Sequence, residues 1–248
     1  VGEAAVKVIE ALGYQVIVPE QVCCGRPQLS LGLLAQAKKS AENLWTQLEP
    51  YLHTNRTARA GEDDLEPPIP VIGIEPSCVI SFADEYPGLS SPSYQDISQR
   101  LARQSILLQD WLLSVLAERQ QQGLPLPFRA ASWRVFFHEH CHQKAWGNDQ
   151  GMALLQQIPG LEVLPSRAGC CGMAGSFGYE AEHAPLSQAI AQKELLPALS
   201  QAHGQKPVDK IGVSGMSCRH QIQNQKPTDI EPKVQHWIEI LAELVEVA

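Results

Sequence analysis

A duplicated motif constrains the fold of this chain more than any other feature. Cys-Cys-Gly occupies residues 23–25 and again residues 170–172, and each copy follows a short apolar segment that ends near a proline. In each half a lone cysteine comes later, at Cys78 and at Cys218, directly after the apolar strings VIGI and IGV. Such an internal repeat predicts two similar structural halves.

The first half alternates helical and extended patterns. Apolar residues at helical spacing predict helices, and short β-branched runs bounded by glycine and proline predict strands. A charged, proline-containing segment predicts a surface loop. The predicted elements are a helix over Val1–Leu12, a strand over Tyr14–Val18, a helix over Leu31–Tyr51, a loop over Thr54–Pro70 and a strand over Val71–Ile74.

The second half repeats this order, after a linking segment. The linking segment, Tyr94–Gln122, reads as one amphipathic helix, and Val234–Val247 reads as a final helix. Between them the predicted elements are a strand over Trp133–Phe137, a helix over Gly151–Gln157, a strand over Leu161–Leu164, a helix over His183–Leu199 and a strand over Val208–Val213.

Alternating strands and helices indicate βαβ units and parallel sheets. We therefore predict an α/β fold with two tandem, pseudo-symmetric, Rossmann-like halves, plus linking and C-terminal helices. The predicted boundaries are 1–90 for the first repeat, 91–130 for the linking helix, 131–226 for the second repeat and 227–248 for the C-terminal helix. By symmetry, we expect a further strand before Val1, so that the sequence would be truncated within its first repeat.

The cysteines fall where parallel sheets bind ligands, just beyond the ends of predicted strands. Adjacent thiols joined by distant cysteines and followed by a turn-making glycine favour metal–sulfur ligation, and iron–sulfur clusters usually take four thiolates. The second half offers four candidate ligands and the first half three. The sets are Cys141, Cys170, Cys171 and Cys218 in the second half, and Cys23, Cys24 and Cys78 in the first.

Two glycines and two histidines are expected to support these ligands. Gly25 and Gly172 would let the backbone turn with positive φ, or approach a cluster without a Cβ atom. His142 and His220 lie close to cysteines in sequence, and we expect them to hydrogen-bond or tune a cluster rather than to bind the metal.

Two other interpretations of the cysteines stay open. A four-thiolate site suits zinc as well as iron and sulfide, which would make the chain a structural interaction module without redox activity. A vicinal pair with a low-pKa thiol could instead carry out thiol–disulfide exchange.

Charge and cysteine content narrow the surroundings of the protein. The net charge of −8 argues against nucleic acid or an anionic membrane surface as the main partner. No apolar run has the length of a transmembrane segment. Seven cysteines, an odd number, without an export signal favour a reducing, cytoplasmic compartment. The opening Val-Gly-Glu-Ala-Ala predicts that the chain is part of a longer polypeptide.

With these motifs placed, the sequence resembles the CCG cysteine-rich domain family. That family includes the CCG-containing subunits of heterodisulfide reductase and of anaerobic glycerol-3-phosphate dehydrogenase, and the iron–sulfur subunit of glycolate oxidase. The strings EPSCVISFADEYPGL and CCGMAGSFGYE look closest to the C-terminal iron–sulfur region of fusion proteins that also carry an FAD-linked 2-hydroxyacid oxidase.

The resemblance implies an electron-transfer module with a 4Fe–4S cluster, and FAD on a separate domain or subunit. The flavin partner would oxidise a 2-hydroxy acid such as D-lactate, glycolate or D-2-hydroxyglutarate. Electrons would pass to an acceptor such as quinone, and the module would be cytoplasmic or peripheral at the inner membrane. The module alone would not turn over substrate.

The sequence departs from the fuller family pattern at the end of each repeat. Ser81 and Gln221 stand where some members have the second cysteine of a C-x-x-C motif. This difference favours one ordinary cluster in the second repeat and a depleted site in the first.

Overall fold

The computed structural model describes residues 1–20, 22–52, 69–147 and 150–246. The chain divides into two compact units. Unit 1 comprises Val1–Val16, Ile74–Pro76 and Gln109–Ala248, and unit 2 comprises Ile17–Gly73 and Ser77–Leu108.

Strands and helices alternate along both units. The strands are β1 (Val71–Gly73), β2 (Ser105–Leu107), β3 (Arg134–His138), β4 (Glu162–Pro165), β5 (Lys210–Val213) and β6 (Val234–His236). The helices are α1 (Gly2–Ala11), α2 (Arg26–Ser30), α3 (Leu34–Leu48), α4 (Pro76–Ala83), α5 (Glu85–Leu89), α6 (Gln95–Gln104), α7 (Leu108–Gln121), α8 (Cys141–Trp146), α9 (Gly151–Gln156), α10 (Ala184–Lys193), α11 (Leu195–Gln205), α12 (Met216–Gln225) and α13 (Trp237–Ala242). Short 3₁₀ helices lie at Glu49–Tyr51, Pro92–Tyr94 and Phe177–Tyr179.

Unit 1 is built on a four-stranded parallel sheet in the order β4-β3-β5-β6. Phe136 of the central strand β3 pairs with Leu164 of β4 on one side and with Ile211 of β5 on the other. All five residues of β3 are buried, as expected for a parallel strand covered on both faces. The carboxyl ends of β4, β3 and β5 therefore meet at one edge of the sheet.

The core of unit 1 extends from the sheet to that edge. Phe136, Ile211 and Val213 pack with leucines of α11 and with Ile222 of α12. Two of the cysteines, Cys171 and Cys218, belong to the same buried cluster.

Unit 2 contains a two-stranded parallel sheet, in which Ile72 of β1 pairs with Ile106 of β2. Its core is centred on Trp45 of α3, whose ring meets the ring of Tyr86 edge-on with centroids 6.2 Å apart. The two parallel sheets confirm the predicted α/β class with βαβ halves. The domain boundaries given above remain predictions.

Strand pairing overturns two of the predicted helices. The linking segment is not one helix, because Ser105–Leu107 leaves the helical path and pairs with Val71–Gly73. The final segment begins as a strand, since Val234–His236 pairs with β5, and the helix is confined to Trp237–Ala242. In both places the tertiary partner outweighs the local helical pattern.

Three other predictions fare differently. Tyr14–Val18 forms no strand, since none of the described strands pairs with it, whereas its counterpart Glu162–Pro165 pairs with β3. The helix predicted over His183–Leu199 is two helices, separated at Glu194, whose φ is −137°. Most of the predicted loop Thr54–Pro70 lies outside the described residues. Among the described helices, none is both long and apolar enough to cross a bilayer.

His236 joins the last strand to the last helix. Its Nδ1 accepts the backbone N–H of Ile238 at 3.3 Å, and its own N–H donates to Glu239 Oε2 at 2.8 Å. These two bonds form a capping box at the start of α13. Burial lowers the pKa of His236 from an ordinary value of 6.5 to about 4, because the charged imidazole would lose its hydration.

A pH-dependent loss of stability follows. The unfolded chain takes up a proton at His236 below pH 6.5, whereas the folded chain does so only near pH 4. The contribution of His236 is therefore present above pH 6.5 and declines as the pH falls toward 4. We expect His236→Asn, which keeps a cap acceptor but cannot be protonated, to gain about 2 kcal/mol relative to wild type between pH 7.5 and pH 5.

Urea unfolding at the two pH values measures this difference, with His220→Asn, at an exposed histidine, as the matched control. The control should follow the wild-type pH dependence. A constant difference between His236→Asn and wild type would contradict the assignment.

Candidate metal–sulfur centre

Four cysteines of unit 1 lie at the carboxyl edge of its sheet. Cys141 is the first residue of α8, immediately beyond β3. Cys170 and Cys171 lie in the loop after β4, and Cys218 lies in the first turn of α12, after β5. Since β4, β3 and β5 are neighbouring parallel strands, their connections converge at this edge.

The four sulfur atoms form one continuous cluster. Cys141 hydrogen-bonds with Cys170, Cys170 with Cys171, and Cys171 with Cys218. Cys171 and Cys218 are buried, and the other two are half-buried. The fold therefore brings together thiols that are far apart in the chain.

The four thiols divide into two pairs by their protonation. The pKa of Cys170 is lowered by hydrogen bonds from Cys141 and then Cys171, and the pKa of Cys218 is lowered by a hydrogen bond from Cys171. The pKa values of Cys141 and Cys171 are raised, first by these same hydrogen bonds and then by burial. In the metal-free protein, thiols and thiolates thus alternate along the cluster, and thiolates are the form that binds metal.

Gly172 makes the sharp turn that this arrangement needs. Its φ is +97°, and its backbone N–H donates to Cys170 Sγ at 3.2 Å. A Cβ atom at this position would lie 2.2 Å from the carbonyl oxygen of Ser187. The position therefore requires glycine for its backbone conformation and for the close approach of α10.

His138 is a residue of this site that the sequence analysis missed. It is the last residue of β3 and fully buried, and one of its ring nitrogens lies within 4.8 Å of the sulfur atoms of Cys171 and Cys218. Its position at the end of the strand that precedes Cys141 is the signal that could have identified it.

The other histidines near these cysteines have different surroundings. His142 contributes a backbone hydrogen bond to Cys141, and its ring packs edge-on against His140 with centroids 5.1 Å apart. His220 is exposed, and its ring lies against Tyr179 with centroids 4.8 Å apart and beside Asn224. Among the described contacts, the ring of His220 reaches none of the four sulfur atoms.

Unit 2 assembles a smaller thiol cluster on the same plan. The sulfur atoms of Cys24 and Cys78 are 3.0 Å apart, and Gly25, with φ +89°, donates its N–H to Cys23 Sγ at 3.4 Å. Cys23 is exposed. The hydrogen bond from Cys78, together with Arg26, lowers the pKa of Cys24 to about 7 against the effect of burial.

Ser81 lies beside this cluster, at a position where some family members have cysteine. Its hydroxyl donates to the carbonyl oxygen of Ser77 and accepts a hydrogen bond from Arg26 at 2.9 Å. The described part of unit 2 therefore offers three thiols, whereas unit 1 offers four.

The donor set of unit 1 fits an iron–sulfur cluster. Four sulfur donors in one buried group match the Cys₄ ligation of such clusters, and the N–H of Gly172 already points at one sulfur. The same four donors also suit zinc.

Comparison with known proteins identifies the class. The family model for the CCG cysteine-rich domain matches residues 1–82 and 135–223, one match in each repeat. The chain belongs to the CCG cysteine-rich domain family.

Several characterised proteins are similar to this chain. The C-type subunit of anaerobic glycerol-3-phosphate dehydrogenase from Escherichia coli K12 is 31% identical over 191 residues, which cover 76% of this chain and 43% of that protein. Lactate utilization protein A from Bacillus licheniformis is 32% identical over 73% of this chain and 68% of its own length. D-2-hydroxyglutarate dehydrogenase from Pantoea ananatis is 25% identical over 95% of this chain and 20% of its own length. This chain thus spans under half of the glycerol-3-phosphate dehydrogenase subunit and a fifth of the D-2-hydroxyglutarate dehydrogenase.

Gly172→Ala should disrupt the centre of unit 1. A side chain at this φ, pressed against a backbone carbonyl, should lower the free energy of unfolding by roughly 1–3 kcal/mol and displace Cys170 and Cys171. We expect iron content after anaerobic purification to fall well below that of wild type.

Gly204→Ala is the matched control, because a Cβ atom at Gly204 in α11 meets nothing within 4 Å. This variant should keep the wild-type iron content and gain up to about 1 kcal/mol from helix propensity. Full iron content in Gly172→Ala would show that the turn is not needed for metal binding.

Proposed function

We propose that this chain is the iron–sulfur electron-transfer module of an FAD-linked 2-hydroxyacid dehydrogenase. One 4Fe–4S cluster would be held by the four cysteines of unit 1. The observation that carries the proposal is the continuous cluster of their sulfur atoms at one sheet edge. The ligand set is Cys141, Cys170, Cys171 and Cys218.

The residues around the sulfur atoms suit this role. When bound, an iron–sulfur cluster accepts and releases single electrons. Burial of Cys171 and Cys218 keeps water from one side of the ligand set, and the backbone N–H of Gly172 stabilises negative charge on Cys170. Such hydrogen bonds and burial are the means by which a protein sets a cluster's potential.

The partner is proposed from the similar proteins. Two of them are named dehydrogenases, and one of these is named for D-2-hydroxyglutarate. We propose that a flavin domain or subunit oxidises the 2-hydroxy acid, D-lactate, glycolate or D-2-hydroxyglutarate, and that the module passes the electrons to an acceptor such as quinone. The module would act in the cytoplasm or peripherally at the inner membrane, and it would not oxidise the substrate by itself.

The three thiols of unit 2 would form a depleted site. Cys23 is exposed, and the Ser81 hydroxyl is already engaged with Ser77 and Arg26, so these residues would not complete a second cluster. We propose that the chain as given carries one cluster.

Metal analysis tests the proposal. Anaerobically purified wild type should contain about four irons and four sulfides per chain and absorb in the visible region. Cys170→Ser should lose most of this iron, whereas Cys24→Ser, the equivalent change in unit 2, should keep it.

Two results would contradict the proposal. Stoichiometric zinc without colour would favour a structural zinc module. Iron that survives in Cys170→Ser but is lost in Cys24→Ser would move the cluster to unit 2.

A further inference from the structure

A buried histidine at the unit 1 centre has one ring nitrogen engaged and one unaccounted for. His138 Nδ1 lies 2.8 Å from Ser166 Oγ. His138 Nε2 is buried and forms no hydrogen bond of acceptable geometry within the described part of the chain. A buried polar atom without a partner costs free energy, so its presence in a folded core calls for a ligand.

Ser166 determines which nitrogen carries the proton. Its Oγ accepts the backbone N–H of Ala168 at 3.3 Å, so the hydroxyl proton is available for His138 Nδ1. Among the described residues, the hydroxyl has no other acceptor within hydrogen-bond distance. A neutral imidazole that accepts at Nδ1 must carry its proton on Nε2.

The proton-bearing nitrogen faces the sulfur atoms. A ring nitrogen of His138 lies within 4.8 Å of both Cys171 Sγ and Cys218 Sγ, and Nδ1 is already occupied by Ser166. His138 also favours the charged form of Cys218, through a hydrogen bond and through its charge. Four thiolates fill the ligand set of a conventional cluster, which leaves the histidine to act as a donor rather than as a fifth ligand.

We propose that His138 Nε2–H donates a hydrogen bond to sulfur at the Cys171–Cys218 side of the cluster and raises its reduction potential, with Ser166 fixing the required tautomer. This inference rests on the proposed cluster in unit 1. Reduction adds negative charge to the cluster and its sulfur ligands, and an N–H donor stabilises the reduced state more than the oxidised state. His138 is thus a positioning and tuning residue.

Potentiometric titration of matched variants tests the proposal, in protein whose iron content has first been measured. His138→Leu should make reduction roughly tenfold less favourable, which is about 59 mV for one electron. His138→Gln places an amide N–H near the former Nε2 and should recover most of the shift. Ser166→Ala should move the potential in the same direction as His138→Leu, but less. His220→Leu, at an exposed histidine, should leave the potential unchanged.

Two outcomes of the titration would overturn the proposal. A wild-type potential in His138→Leu would show that the histidine does not act on the cluster. Equal shifts in His138→Leu and His138→Gln would assign the effect to packing rather than to a donated proton.

A measurement on the wild-type chain decides the matter even if the variants lose their cluster. Pulsed electron paramagnetic resonance of reduced protein, labelled with ¹⁵N only at histidine, should show a weak nitrogen coupling and an exchangeable proton coupling. Ser166→Ala should weaken the proton coupling. A strong nitrogen coupling would make His138 a ligand, and the absence of coupling would place it away from the cluster; either result overturns the proposal.

The same samples distinguish failure of this inference from failure of the proposed function. Wild type without iron would refute the proposed function itself. Wild type with a full cluster, but with no effect or coupling of His138, would refute only this inference.

Discussion

The convergence of cysteine sulfur atoms at one sheet edge is the constraint on which the rest of unit 1 depends. Parallel pairing of β4, β3 and β5 brings the segments after these strands together, and each of these segments carries at least one cysteine. The resulting thiols hydrogen-bond to one another in sequence, from Cys141 to Cys218. Thiolates crowded in a core repel one another, so a cation in their midst would stabilise the folded chain.

The surroundings of the thiols are equally specific. Gly172 turns the chain so tightly that its missing Cβ leaves room for the Ser187 carbonyl, and its N–H meets Cys170. His138, held by Ser166, approaches the cluster near Cys218. Ligands and their hydrogen-bond donors are therefore carried by the same sheet edge, so changes to its loops alter binding and potential together.

Much of the fold follows from the sequence, and the failures have identifiable causes. The cysteine motifs and short apolar runs predict parallel βαβ halves, because buried strands read as continuous apolar segments. Local patterns place Ser105–Leu107 and Val234–His236 in helices, since a three-residue strand between helical patterns is recognised only through its partner. His138 escapes the sequence analysis for a related reason: its role depends on contacts with Ser166 and Cys218, which are distant in sequence.

The number and kind of clusters per chain test the central claim most directly. Native mass spectrometry of anaerobically purified wild type measures both from the mass added to the polypeptide. The account predicts one dominant species that carries four irons and four sulfides. A species that carries zinc without sulfide, or the mass of two clusters, would contradict it.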